Sequence, residues 1–247
     1  MKPSTLCRSL LIIALALSAA PLAARSQAQP AATDTRSAYT KTAEATAKSD
    51  AETEKKAAEW VGSLNLGDAA KESRVASVIA THLKTIRDWH NEHPYTTVPA
   101  GINPITGKPL STLDRQMIAD SAMPKSVHEN LMTGLRKDLT EEQVEAILDK
   151  YTIGKVAFTM KGYKAIVPDL TAEEEKTILG FLKQAREEAV DYKSMPQISA
   201  IFEIYKTKSE QYLNSNGRDW KKMYKAYTDA AKAKKAEAAK QQAKPAQ

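Results

Sequence analysis

The chain reads as an all-α protein, a single bundle-like domain of several helices, and three observations predict it. Two helix starts are written almost alike, Asp138-Leu139-Thr140-Glu141-Glu142-Gln143 and, 31 residues on, Asp169-Leu170-Thr171-Ala172-Glu173-Glu174. In each, the Thr hydroxyl accepts from a free N–H of the first turn, and Gln143 or Glu174 reaches back to the Thr N–H, a reciprocal capping box. Glu141, Glu142 and Glu173 place negative charge where the helix dipole favours it. Apolar residues also recur at three-to-four spacing, as in Val75, Val78/Ile79, His82/Leu83, Ile86 and Trp89/His90. Finally, no series of segments alternates polar and apolar residues as strands do.

The elements follow in order. Lys2 and Arg8 form a basic segment, Leu10 to Leu17 an apolar one, and Ser26-Gln27-Ala28 a small-residue cleavage site, with Ala24 as the second option. Residues 1–28 therefore read as a signal peptide. Its apolar part is shorter than the ~20 residues a membrane span needs, and no later run is long enough. The expectation is a soluble exported protein, periplasmic or secreted, with no membrane span after cleavage. Cleavage also removes Cys7, the only cysteine, and with it disulfides, a cysteine nucleophile and thiolate metal sites. A domain of this size must then be held by its apolar core, which can bury about 70% of the unfolded surface.

Residues 29–39, rich in Gln, Ala, Thr and Ser, read as a disordered leader, and 40–230 as the helical domain. The segment from Thr40 to Leu64 has strong helix propensity, but its apolar face gathers only at Ala57, Trp60, Val61 and Leu64. Asp68 caps the next helix, which Pro94 ends. Four prolines (94, 99, 104, 109) and two glycines (101, 107) make 94–110 a loop. Short helices are expected around Leu113 to Ile118 and, after Pro124, along Val127, Leu131 and Leu135. The first capping box launches Val144, Ile147, Leu148 and Tyr151. Ile153 to Met160, β-branched and without helical spacing, reads as an extended connector, with a short helix at Tyr163 to Val167. The second box launches Ile178, Leu182, Ala185 and Ala189. Pro196 opens a further helix, Asn214 to Gly217 turn the chain, and a last helix from Asp219 dissolves into a Lys/Ala-rich tail at 231–247.

Charge narrows the function. The formal net charge is +6, but the signal holds three basic residues and no acid, and the tail five Lys against one Glu. The body between them is about −1, so no nucleic-acid partner is expected. No serine-nucleophile motif, phosphate loop or dinucleotide fingerprint occurs, and no cofactor or metal is expected. One His-rich spot stands out, Asp88-Trp89-His90-Asn91-Glu92-His93, with His82 two turns earlier. These imidazoles have the chemistry for acid–base work, but their spacing fits no zinc pattern. A structural reading stands beside it: His82 in the apolar stripe, His90 and His93 finishing a helix C-terminus. Arg186, Glu187 and Glu188, with Asp191 one turn on, are the least routine carboxylate group, set against a solvated helix face. The tyrosines, Tyr163 among them, could stack on sugars or serve as core residues with wet tips. The candidate ligand-binding residues are Asp88, His90, Tyr163, Arg186 and Glu187, and no catalytic residue is assigned.

Several segments together carry a resemblance. They are Leu66-Gly67-Asp68-Ala69-Ala70-Lys71, Asp88-Trp89-His90-Asn91, Leu139-Thr140-Glu141-Glu142-Gln143-Val144, Tyr151-Thr152-Ile153-Gly154-Lys155-Val156, Val167-Pro168, Leu170-Thr171-Ala172-Glu173-Glu174, Ala185-Arg186-Glu187 and Asn216-Gly217. Over roughly residues 50 to 220 the chain resembles the exported bacterial family catalogued as domain of unknown function 3826. The resemblance implies a helical exported domain associated with glycan use, with no catalytic residues to carry over. Leu139-Thr140-x-x-Gln143 is also similar to a motif of Spy-type periplasmic chaperones. The favoured expectation is a non-enzymatic periplasmic binding or accessory protein whose partner is a glycan or another periplasmic protein. A carbohydrate-active enzyme of unrecognised type and a stress chaperone are the alternatives.

Overall fold

The structure is a computed structural model that describes residues 32–242, with side chains described over 42–238. The signal segment 1–28 lies outside the described residues, as do positions 29–31 of the leader and 243–247 of the tail. The chain divides between Ala45 and Thr46 into two compact units. Of the first, only the opening of a helix is described, and all packing below belongs to the second.

Among the described residues the architecture is all-α, in the order α1 (Ala32–Gly62), α2 (Ala69–Glu92), a 3-10 turn (Tyr95–Thr97), α3 (Thr112–Ser121), α4 (Lys125–Asp138), α5 (Glu141–Tyr151), α6 (Lys155–Ile166), α7 (Ala172–Ala189), α8 (Met195–Ser215) and α9 (Trp220–Gln242). Caps set these limits as the sequence predicts. Asp68 accepts from Lys71 N–H at 3.0 Å. Both Thr boxes close reciprocally: Gln143 N–H donates to Thr140 Oγ1 at 3.3 Å and Thr140 N–H to Gln143 Oε1 at 3.0 Å. Glu174 N–H donates to Thr171 Oγ1 at 3.2 Å and Thr171 N–H to Glu174 Oε2 at 2.9 Å. The second box does more than cap. Arg218, just past the turn after α8, donates to both Glu174 oxygens at 3.0 and 2.8 Å, so α7 starts where α8 ends. That guanidinium, with the Thr171 N–H, lowers the Glu174 carboxyl to about 2.

The 94–110 loop is more ordered than its composition suggests. Ile102 and Pro109 form an isolated antiparallel bridge, Leu110 N–H bonds Gly101 C=O at 2.9 Å, and Arg115 reaches back to Val98 C=O at 2.9 and 2.6 Å. The tail, too, is helical as far as it is described, since α9 runs to Gln242. The described part of the leader, 32–39, belongs to α1.

One element departs from the expectation. Ile153 to Met160 is not an extended connector: Lys155–Ile166 is helix α6. Ile153 (φ 49°) and Gly154 (φ 69°) take left-handed backbone and turn the chain from α5 into it, a strain on β-branched Ile153 of order 1–3 kcal/mol. Val156, Met160, Tyr163 and Val167 then form the helical stripe, all buried. Phe158 hid this period, because it is apolar yet 79% exposed.

Two apolar clusters hold the helices. Ala57 and Val61 of α1, Val75 and Ile79 of α2, Leu131 and Leu135 of α4, and Ile147 and Leu148 of α5 form the first. Val156 and Met160 of α6, Ile178 and Leu182 of α7, and Ile201, Phe202 and Leu213 of α8 form the second. Within the first, α2 and α4 approach closely at Gly134. A Cβ there would stand 2.7 and 2.8 Å from the Val78 methyl carbons, closer than atoms pack, and the branched valine cannot swing aside cheaply. Gly134→Ala is therefore expected to destabilise despite the ~1 kcal/mol that alanine gains in helix propensity, because overpacking costs about 1–3 kcal/mol. Urea denaturation of Gly134→Ala, alone and with Val78→Ala, checks this: the second substitution should recover stability.

Candidate functional site

Polar side chains meet where the two clusters adjoin. Asp191, in the turn after α7, accepts from two imidazoles: His82 Nε2 of α2 at 3.0 Å and His128 Nδ1 of α4 at 2.9 Å. Asp120, at the end of α3 and only 5% exposed, lies 2.7 Å from His90 Nδ1 of α2. It also accepts from Gln197 of α8 at 2.6 Å and Gln116 at 3.0 Å. Arg186 of α7 donates to Asp149 of α5 at 2.8 Å. These contacts form a seam of paired charges and dipoles, in which, among the described residues, His82 Nδ1 and Arg186 Nε are buried without a partner.

On one side the seam opens as a cleft of about 560 Å³. Gln184, Glu187, Glu188 and Asp191 line it at i, i+3, i+4 and i+7, one polar stripe of α7 and its turn, while Leu182, Ala185 and Ala189 face the core. His128 and Lys125 come from α4, Asp120 from α3 and Tyr205 from α8.

Geometry fixes the imidazole facing this cleft. An ionised carboxylate only accepts, so the nitrogens facing Asp191 are the protonated ones, Nε2 of His82 and Nδ1 of His128. Neutral His128 then carries its lone pair on Nε2, 3.7 Å from Glu187 Oε1. The Asp191 hydrogen bond, aided by the Glu187 charge, outweighs desolvation and raises the His128 pKa above 6.5. Burial pushes the Asp191 carboxyl up, but the bonds from His128 and His82 outweigh it and hold it below 3.8. Burial, with the nearby Glu188, pushes the Tyr192 and Tyr205 phenols up to about 12, so both stay neutral donors at physiological pH. Tyr205 spends its proton on Glu188 Oε2 at 2.9 Å.

The residues singled out by sequence separate. Glu187 lines the cleft, and His90 reaches it only through Asp120. Asp88 is exposed and pairs with its neighbour Arg87 at 2.7 Å. Arg186 is buried against α5, with Glu145 at 3.7 Å as its second partner. Tyr163 is buried among the second cluster and donates to Lys206 C=O at 3.1 Å. His93 finishes α2 as read from sequence, its N–H and ring Nδ1 both 2.9 Å from Trp89 C=O. His128 and Asp120 had no local sign: each is a lone polar residue beside an apolar stripe. Among the described residues no three His, Cys, Asp or Glu stand together as metal ligands, and no helix is long and apolar enough to cross a membrane.

The pair has a pH signature. A histidine whose folded pKa is raised adds stability that is complete below pH 6.5 and is lost as pH rises through the folded value. The Asp191 contribution is present above its unfolded 3.8 and is lost only as pH falls through its lower folded value. Unfolding free energy from urea titrations should therefore fall as pH rises from about 6.5, and His128→Gln should flatten that limb. Equal slopes in the two chains would mean that the pair does not form.

Comparison with known proteins agrees with the resemblance carried by the Asp-Trp-His-Asn, Leu-Thr-Glu-Glu-Gln and Tyr-Thr-Ile-Gly-Lys segments. No curated protein matches the chain. The match over residues 50–233 shows that the chain belongs to the family described as protein of unknown function (DUF3826).

Proposed function

We propose that this is an exported, glycan-associated binding protein that takes a polyhydroxylated ligand in the cleft beside His128 and Glu187, without turning it over. Convergence of Glu187, Glu188, Asp191, His128 and Tyr205 on one opening carries the reading. Carboxylates, an imidazole and neutral phenols supply the mixed acceptors and donors that a row of hydroxyl groups needs. Asp191 and Glu188 are already engaged by His82, His128 and Tyr205. They position neighbours, while Glu187 and His128 Nε2 face the ligand. Export rests on the signal-like first 28 residues, and the glycan class on the family resemblance.

A second reading rests on a specific observation. Asp191 fixes the His128 tautomer and leaves Nε2 as the base, next to a carboxylate that is half exposed, an arrangement suited to acid–base catalysis on the same glycan. Calorimetry against soluble plant and host polysaccharides, with product analysis of each mixture, separates the two. Binding without products is expected, weakened about tenfold by Glu187→Gln, as loss of a charged hydrogen bond predicts. Products that vanish with His128→Gln would establish the second reading. A Glu187→Gln chain that binds like the parent would remove the cleft from both.

A further inference from the structure

A second opening lies away from this cleft. The buried stripe of α8 runs through Ile198, Ile201, Phe202, Ser209 and Leu213. Tyr205 borders one edge of that stripe and faces the cleft, whereas Glu203, Lys206 and Glu210 border the other. There they overlook a groove of about 690 Å³ between α6, α8 and α9.

Its walls are aromatic. Trp220, Tyr224 and Tyr227 recur at i, i+4 and i+7 along α9, a stripe that a helix ordinarily buries. Here Tyr224 stays 50% and Tyr227 42% exposed, and both line the groove with Phe158 and Tyr163. The Trp220 and Tyr224 rings stack nearly parallel, 26° apart with centroids at 5.9 Å, and Tyr163 meets Trp220 at 5.2 Å. At Gly162 of α6, which also lines the groove, a Cβ would meet nothing within 4 Å. A side chain added there would project into the groove.

The polar groups distinguish this from an unfinished core. Glu203 and Lys206 pair at 2.8 Å. Glu210 is half-buried, and burial raises its carboxyl above the ordinary value, yet among the described residues it makes no hydrogen bond. Two carboxylates, Glu203 and Glu210, are balanced by two ammonium groups, Lys161 and Lys206. The groove thus offers flat apolar rings, acceptors and donors side by side, and no net charge. That set matches an uncharged ligand with an apolar C–H face and a rim of hydroxyls.

From this geometry we infer that the α6–α8–α9 groove is a carbohydrate-binding site, in which pyranose rings stack on Trp220 and Tyr224 while Glu210 and Lys206 bond their hydroxyls. It is separate from the cleft and does not depend on the reading given to that cleft. A quaternary ammonium ion would also favour aromatic rings and a free carboxylate, but the two lysines oppose it.

Gly162→Leu tests the site with little risk to folding, since leucine favours a helix over glycine and its first carbon enters open space. The full chain is titrated with cellotriose, xylotriose, mannotriose and maltotriose by calorimetry and tryptophan fluorescence, with tetramethylammonium as the contrasting probe. At least one trisaccharide should bind and perturb the fluorescence. Gly162→Leu and Tyr224→Ala should each weaken it about tenfold. Circular dichroism melts confirm that each variant is folded. The inference is overturned if none of the sugars binds at millimolar concentration, if Gly162→Leu binds as the parent does, or if tetramethylammonium alone binds. Loss of sugar binding in Glu187→Gln but not in Gly162→Leu would also overturn it, by assigning the sugar to the cleft.

Discussion

Two apolar clusters in one helical unit must meet, and here they meet through paired charges. Asp191 and Asp120 are largely buried carboxylates, each costly unless several donors satisfy it. Asp191 draws in α2 and α4 through His82 and His128, and Asp120 draws in α2 and α8 through His90 and Gln197. Arg186 adds the bond between α7 and α5. Apolar contact alone would permit the two groups of helices to slide, because burial is non-directional. Hydrogen bonds near 3 Å admit one register. The seam therefore fixes where α7 stands against α4, and so the shape of the cleft between them.

The same requirement produces a usable side chain. A carboxylate satisfied by two imidazoles leaves each ring one other nitrogen. That of His82 is buried without a partner among the described residues, whereas that of His128 faces Glu187 and solvent. A structural bond at Nδ1 thus orients the other ring nitrogen, Nε2, toward the cleft. The α9 groove is built differently. Its aromatic rings Tyr224 and Tyr227 stay partly exposed beside a half-buried carboxyl, Glu210.

Much of the helical frame was legible because its signals are local. Each Thr box acts over three residues, and the α2 stripe lies within one helix of 24 residues. Pro94 and Pro124 end or open helices at the expected places. What escaped is long-range or contradicted its own neighbourhood. His82 and Asp191 are 109 positions apart, His128 and Asp191 63, and Asp120 and Gln197 77, so no window contains both partners. Glu187 was readable as an unusual carboxylate, but its partner His128 was not. Arg186 drew notice for a charge that the fold spends on Asp149. At α6, exposed Phe158 broke the apolar period and a left-handed Ile153 preceded it, so local pattern argued for extended chain. The residue that spoiled the reading is itself part of the α9 groove.

Asp191 holds His128 through Nδ1 and turns Nε2 toward the cleft. Nitrogen NMR of the imidazoles in the full chain tests it directly. Above the His128 titration, Nδ1 should be protonated and Nε2 unprotonated, an arrangement lost in Asp191→Asn. A His128 ring protonated at Nε2, or one unchanged by that substitution, would contradict it.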